Sequence, residues 1–117
     1  MNVLYLPWPN RDLHPNARVH WARRARVAHA AREFAAWEAK AKWVKGAVPA
    51  GPLALLVTFC APDRRRRDQD GCLSAIKAYL DGIADAMRFD DSRIAKTVLA
   101  WGEPKRGGEV VVRLEAA

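Results

Sequence analysis

A long segment without glycine or proline occupies much of the first half of this 117-residue chain. It runs from Ala17 to Lys45 and is rich in alanine, so we predict one long helix there. Asn16, directly before it, belongs to the residue types that cap helices. Apolar residues recur at spacings of three and four and predict one side packed against the core. This apolar stripe consists of Val27, Ala31, Phe34, Trp37, Ala41 and Val44.

The rest of the chain reads as strands and one further helix. Val3–Leu6 predicts a short strand, and Leu53–Phe59 predicts a strand buried on both faces, because nearly all of its residues are apolar. A second helix is predicted over residues 71–87. Two strands, 97–101 and 110–114, follow, and the glycines between them predict a hairpin. We therefore expect one α+β domain over the whole chain, with a small mixed sheet of about four strands and two main helices.

Net charge narrows the class of partner. The formal charge is +7 and the sequence pI is about 10.0, which favours a polyanion such as nucleic acid. No apolar run is long enough to span a bilayer and no signal-peptide pattern is present, so we expect a cytoplasmic protein without a membrane partner. Cys60 and Cys72 form no CxxC pattern, which predicts reduced, partly buried thiols. A phosphotransferase is a weaker alternative, because the sequence has no glycine-rich phosphate loop. No small-molecule cofactor is expected.

The run from Arg64 to Arg67 leads directly into Asp68 and Asp70. Guanidinium groups bind phosphate well because their planar fork donates paired hydrogen bonds. Ionised carboxylates are the hard oxygen ligands that Mg²⁺ prefers. Phosphate-binding groups beside such ligands indicate a phosphodiester-cleaving or phosphoryl-transfer site. The alternative is a solvated loop in which the arginines and aspartates merely form surface ion pairs.

Further charged residues follow on the second predicted helix. Asp70, Lys77 and Asp81 recur at helical spacing on one face, and Asp91 belongs to a second acidic pair just beyond the helix. We expect the carboxylates of Asp68, Asp70 and one acid of the pair, Asp90 or Asp91, to lie within about 8 Å of one another, either in one chain or across a dimer. The alternative for Lys77, Asp81 and Asp85 is an exposed ion-pair ladder.

The aromatic and histidine residues are less informative. His14 and His20 could contact phosphate but are expected to be ordinary surface residues. Trp8 lies beside the cationic region and could stack on an unpaired base. Trp37 and Trp43 are predicted to be core or dimer contacts.

Residues 62–94 resemble the core of the RusA-type Holliday-junction resolvases of bacteria and their phages. The matching elements are Pro62-Asp63, the arginine run, Asp68-x-Asp70, Lys77-Ala78, Asp81-Gly82 and Asp90-Asp91. The stretches Leu6-Pro7-Trp8-Pro9, Asn16-Ala17-Arg18 and His20-Trp21-Ala22 resemble phage-borne members. The chain departs from the family in two places: Gly71 stands where members often carry Asn, and Ser74 stands where some carry the functional lysine.

The resemblance implies a small homodimeric α+β protein of a bacterial or phage-infected cell. It implies Mg²⁺-dependent (Mn²⁺ possible) cleavage of four-way DNA junctions by paired symmetric nicks, in DNA recombination and repair. The catalytic and metal-binding acids map onto Asp68, Asp70 and Asp91, and the functional lysine onto Lys77. The DNA-binding residues are expected to be Arg64, Arg65, Arg66, Arg67, Arg18, Arg23 and Arg24. The competing interpretation is a basic nucleic-acid-binding protein without catalysis.

Overall fold

The computed structural model describes residues 2–43 and 48–117 and builds them around one hydrophobic core. The elements in chain order are β1 (Asn2–Pro7), α1 (Trp21–Lys42), β2 (Leu53–Cys60), α2 (Gln69–Ala75), α3 (Lys77–Met87), β3 (Ile94–Trp101) and β4 (Glu109–Ala116). Short 3₁₀ turns cover Arg11–Leu13 and Asp91–Arg93. The α+β class and the four-stranded mixed sheet are confirmed, with three helices in place of two. Within the described ranges, no helix is both long and apolar enough to cross a membrane.

The sheet has the strand order β1-β4-β2-β3. β4 is antiparallel to both of its neighbours, and β2 and β3 are parallel, with Val57 opposite Leu99. The hairpin predicted between the last two strands is therefore wrong, because β2 lies between them. The loop after β3 crosses the end of β2 instead: Gly102 N–H donates to the Phe59 carbonyl at 3.0 Å, and Lys105 N–H donates to the Ala61 carbonyl at 2.9 Å.

One face of the sheet carries the helices. Leu55, Val57 and Phe59 of β2 are buried on this side, whereas Leu56 and Thr58, which point to the other side, are half-buried. The prediction that β2 is buried on both faces was thus too strong. An internal strand is covered by its neighbours even where one face of the sheet has no layer over it.

α1 packs closely against α3, and it does so with a different face from the one that the sequence pattern predicted. The predicted apolar stripe is wrong, because Phe34 and Trp37 are 43% and 74% exposed, while Ala35 and Ala39 are fully buried. Gly82 of α3 explains the choice of face: a Cβ there would collide with the carbonyl oxygen of Arg32 in α1. Small residues on both helices allow the backbones to approach, so this close packing, rather than the hydrophobicity of the side chains, decides which face of α1 is buried.

The ends of α1 also differ from the prediction. The helix begins at Trp21, and the N-cap is His20, whose Nδ1 accepts a 3.2 Å hydrogen bond from Ala22 N–H. Asn16 therefore does not cap it. The helix ends at Lys42, short of the predicted end, because Trp43 is already extended with φ −95° and ψ 137°. Lys45 itself and the stripe member Val44 lie outside the described residues.

The predicted second helix is two helices, α2 and α3. Ile76 separates them with φ −100° and ψ 8°, and its side chain is fully buried. Asp70 therefore lies on a different helix from Lys77 and Asp81, and the continuous polar face predicted from the sequence is broken. Arg88 ends α3 in the left-handed conformation, with φ 57°.

Candidate nucleic-acid interface

The arginine run lies in the loop between β2 and α2, with both aspartates at the start of α2. Asp68 is the N-cap, and its Oδ2 accepts a 2.7 Å hydrogen bond from Gly71 N–H. Asp70 lies in the first turn and is exposed, with no ion pair or hydrogen bond among the described residues. Asp68 therefore has a structural task of its own, while Asp70 is free to bind a ligand.

The four guanidiniums of the run have different environments. Arg67 is held tightly: its side chain is only 19% exposed, it pairs with Asp63 at 2.9 Å, and it lies 5.6 Å from the ring centroid of Trp8. Arg65 also pairs with Asp63, at 3.2 Å, and Arg64 lies 4.0 Å from Glu103. Arg66 is exposed and has no partner among residues 2–43 and 48–117. Three arginines of the run therefore pair with acids of the same chain, and Arg66 is left with an unpaired guanidinium among the described residues.

Asp63 organises this loop electrostatically. Its carboxylate accepts hydrogen bonds from the side chain of Arg67 and from the backbone N–H of Arg65, and these lower its pKa to about 2. The carboxylate therefore stays ionised throughout the physiological range and can pair with both arginines.

The loop before α1 is fixed by two arginines that the sequence assigned to DNA. Arg23 Nε donates to Asp12 Oδ2 at 2.8 Å, and Asp12 is buried. Arg24 donates to the carbonyl of His14 at 3.3 Å and to that of Ala17 at 2.8 Å. These two guanidiniums thus hold the chain itself. Arg18 is exposed and unpaired within the described part of the chain, which leaves it available to a phosphate.

A cavity of about 430 Å³ lies between this N-terminal loop and the arginine run. Its lining includes Trp8, Asn10, Arg11, His14, Arg65, Arg66, Arg67, Asp68 and Cys72. Burial raises the pKa of the Cys72 thiol, and the charge of Asp68 raises it further, so this sulfur stays protonated and is a poor nucleophile. The cavity is therefore suited to binding an anion rather than to cysteine chemistry.

Lys77 and Asp91 meet in a different cavity, of about 260 Å³, which Asp81 also lines. Lys77 Nζ lies 2.5 Å from Asp81 Oδ1. The ladder predicted beyond Asp81 does not continue, because Asp85 instead accepts a bidentate pair from Arg32 of α1 at 2.6 and 2.9 Å. Lys77, the first residue of α3, and Asp91 thus line the same cavity.

The three predicted metal ligands are not assembled in one place. Within residues 2–43 and 48–117, no three His, Cys, Asp or Glu side chains form a group that could hold a metal ion. Asp68 and Asp91 line separate cavities. The donor chemistry nevertheless fits Mg²⁺, since it commonly binds through one or two carboxylates, waters and a substrate phosphate. Asp68 and Asp70, two residues apart at the start of α2, supply such oxygens.

Comparison with known proteins places the chain in a family. No family model matches the chain. A protein of Xylella fastidiosa strain Temecula1, named only as an uncharacterized protein, is 42% identical over 116 residues, which cover 97% of this chain and 76% of the relative. The chain belongs to the same family as that Xylella protein. The shared region extends over nearly the whole chain, including the elements that carry the arginine run and both cavities.

His14 is the site residue that sequence reasoning undervalued. It was expected to be an ordinary surface residue, yet it lines the cavity that contains Asp68. Its separation of more than fifty positions from Asp68 in the sequence left no local signal that the two would meet. The basic, turn-rich composition around it was the available hint.

Proposed function

We propose that this protein is a Mg²⁺-dependent endodeoxyribonuclease that resolves four-way DNA junctions by paired symmetric nicks. The main support is one juxtaposition: the unpaired guanidinium of Arg66 lies in the loop that ends at Asp68 and Asp70, beside a cationic cavity. A phosphate-binding group next to hard oxygen ligands is what phosphodiester cleavage requires. The resemblance of residues 62–94 to the RusA-type resolvases supplies the reaction and the branched substrate.

Asp68 and Asp70 would hold the metal ion. Asp91 lines a separate cavity of the chain, so it would join this ligand set from the second protomer of a dimer. When bound, Mg²⁺ supplies positive charge that stabilises the phosphodiester transition state. Asp68 keeps one oxygen on Gly71 N–H, which fixes its carboxylate at the start of α2. Asp70 has no such tie and can turn toward a ligand.

Lys77 would stabilise developing negative charge or orient the attacking water. Its ion pair with Asp81 holds the ammonium at the mouth of the cavity that Asp91 lines. Arg66 and Arg18 would bind DNA backbone, which positions the substrate without reading its sequence.

A homodimer follows from the symmetry of the substrate. A four-way junction offers two equivalent strands related by a two-fold axis, and a C₂ dimer presents two equivalent sites. Large apolar side chains available to a second protomer include Trp37 and Phe34 on α1, both exposed in this chain.

A non-catalytic DNA-binding protein is the second candidate. It is favoured by the pairing of Arg65 and Arg67 with Asp63, because part of the run then serves the fold. Such a protein would hold DNA equally well with Mg²⁺ or EDTA and would cut neither junction nor duplex.

Asp70→Asn separates the two candidates. The change removes one charge and keeps the shape, so junction cleavage should fall by about two orders of magnitude or more, equivalent to about 2.7 kcal/mol of transition-state stabilisation. Junction affinity and melting temperature should hold, because Asp70 is exposed and unpaired among the described residues. The measurements are cleavage of a synthetic junction and a linear duplex, binding in EDTA, and thermal melting.

Glu103→Gln is the matched control, since it removes a negative charge from an exposed residue beside Arg64. It should cut as the wild type does. Normal cleavage by Asp70→Asn would exclude Asp70 from the mechanism. A wild type that binds junctions and never cuts them, with either Mg²⁺ or Mn²⁺, would favour the second candidate.

A further inference from the structure

We propose that His14 and Arg11 form the second wall of a pocket that binds a backbone phosphate of a DNA strand next to Asp68. This inference rests on the proposed action on DNA, and it adds residues outside the 62–94 segment. The pocket is the cavity of about 430 Å³ between the N-terminal loop and the arginine run. One wall is the loop carrying Arg65 to Arg67, and the other is the loop carrying Arg11 and His14.

The imidazole of His14 is held in place through one ring nitrogen, and its other ring nitrogen is available as a hydrogen-bond donor. Its Nδ1 accepts a 3.2 Å hydrogen bond from Asn16 N–H, so the ring proton is carried on Nε2. The carbonyl of the same residue accepts from Arg24. Both the backbone and one ring nitrogen are therefore fixed, and Nε2–H is the free donor of the residue.

Gly71 shows where that donor lies. A Cβ built on Gly71 would lie 2.6 Å from His14 Nε2 and 2.9 Å from Asp68 Oδ1. The imidazole and the carboxylate thus converge on one point at the first turn of α2, and any side chain at position 71 would intrude there. Glycine keeps the space open for the imidazole, and the donor lies beside the proposed metal-binding carboxylate.

The charges of the pocket favour an anion. Asp68 is the acid among the lining residues, and it faces four guanidiniums, those of Arg11, Arg65, Arg66 and Arg67. The guanidiniums of Arg66 and Arg11 have no partners among the described residues, so the hydrogen-bonding capacity of these two side chains is unused. Unpaired guanidiniums with a neutral N–H donor make a phosphate site of mixed donors.

A second cavity makes a polymer a better ligand than a free ion. It measures about 460 Å³, shares Arg11 and His14 with the first, and extends to Arg18. Arg11 and His14 therefore line both cavities, and each cavity is also lined by an arginine whose side chain is unpaired among the described residues, Arg66 in the first and Arg18 in the second. Successive phosphates of one strand could occupy both, whereas a single phosphate ion would use one.

The test uses the full chain in EDTA, so that no cleavage occurs. Binding is measured for a short phosphodiester oligonucleotide, for the same sequence with an uncharged methylphosphonate backbone, and for inorganic phosphate. The phosphodiester strand should shift the imidazole NMR signals of His14 and leave those of exposed His29 unchanged. The methylphosphonate strand should shift neither, and inorganic phosphate should bind far more weakly than the charged strand.

Substitutions then locate the contact. His14→Ala should weaken binding of the phosphodiester strand about tenfold, as expected for a hydrogen bond to a charged group. Arg11→Ala should weaken it similarly and lower the log–log salt slope by about one. The matched controls are His29→Ala and Lys96→Ala, which remove an exposed histidine and an exposed lysine away from the pocket. Both should bind nearly as the wild type does.

Gly71→Ala displaces the imidazole without removing it, so it should weaken binding as His14→Ala does. The double variant should be no weaker than either single one, because both remove the same contact. If the losses of binding in the two single variants added fully in the double variant, the placement of His14 would be overturned. Unchanged binding by His14→Ala would also overturn it. Melting curves confirm that each variant is folded. Inorganic phosphate binding as tightly as the strand would overturn the DNA assignment.

Failure of the nuclease proposal is distinguishable from failure of this one. If the substitutions weaken DNA binding in EDTA but the wild type does not cut junctions with Mg²⁺, the phosphate pocket is supported and the nuclease proposal is excluded. If the wild type cuts junctions but His14→Ala and Arg11→Ala bind DNA as the wild type does, only the proposal of the phosphate pocket is excluded.

Discussion

Individual arginines within one run have different physical roles. Arg67 is largely buried against Trp8 and paired with Asp63, so Arg67→Ala should lower stability by about 1–2 kcal/mol through lost packing as well as lost charge. Arg66 is exposed and unpaired among the described residues, so Arg66→Ala should leave stability unchanged. It should instead weaken DNA binding and flatten the salt slope by about one. Urea unfolding and salt-dependent binding measure the two effects, and a reversed pattern would contradict this division.

The depressed pKa of Asp63 predicts an acid-sensitive loop. A carboxylate whose folded pKa is about 2 stabilises the fold fully above its unfolded pKa, near 4, and this contribution is lost as pH falls toward 2. The melting temperature of Asp63→Asn should therefore depend less steeply on pH between about 4 and 2 than that of the wild type. Identical pH profiles would mean that the pairs with Arg65 and Arg67 contribute nothing to stability.

At the scale of elements, the close approach of α1 and α3 predicts that a glycine-to-alanine substitution in α3 lowers stability, which is the opposite of its usual effect in a helix. Glycine to alanine within a helix ordinarily stabilises by about 1 kcal/mol. At Gly82 the added Cβ would collide with the Arg32 carbonyl oxygen and lie 3.0 Å from its carbonyl carbon. Gly82→Ala should therefore destabilise by several kcal/mol, as overpacking does. Ser74→Ala, at an exposed helical position, is the control for propensity, and a gain in stability by Gly82→Ala would contradict the packing described here.

The sequence predicted the existence of the elements better than their arrangement. Strand and helix positions follow from local patterns, so β1, α1, β2, β3 and β4 were found to within a few residues. The burial of Ala35 in place of Trp37 was not predictable, because it depends on Gly82, far along the chain. The break at Ile76 has no glycine or proline to mark it. The hairpin failed because strand order is a long-range property of the sheet.

In the candidate site, too, the local features were predictable from the sequence and the long-range ones were not. The arginine run and Asp68 with Asp70 are contiguous, so their proximity was guaranteed by the sequence. Lys77 and Asp91 depend on how α3 returns the chain to β3, and the structure brings them to one cavity. The contribution of His14 depends on how a separate loop docks beside the arginine run, and no local sequence pattern predicts that docking.

At the scale of the whole molecule, the separation of the acids makes the proposed dimer testable. Asp68 and Asp91 line different cavities of one chain, so a ligand set joined across a dimer would take Asp70 from one protomer and Asp91 from the other. We expect a particle of about twice 13.1 kDa by light scattering, because two sites related by a two-fold axis match the junction. The arrangement of the ligands can then be read from mixed dimers.

Asp70→Asn and Asp91→Asn should each abolish cleavage as homodimers. A mixed dimer of the two variants carries both lesions in one site and two intact acids in the other, if the ligands come from different protomers. It should therefore convert a plasmid with an extruded cruciform to nicked circles, whereas wild-type dimers should give linear product. If each site is built from a single protomer, every site of the mixed dimer lacks one acid and no nicking will occur. Mixing wild type with Asp70→Asn is the control: it should yield nicked circles under both arrangements and confirm that mixed dimers form.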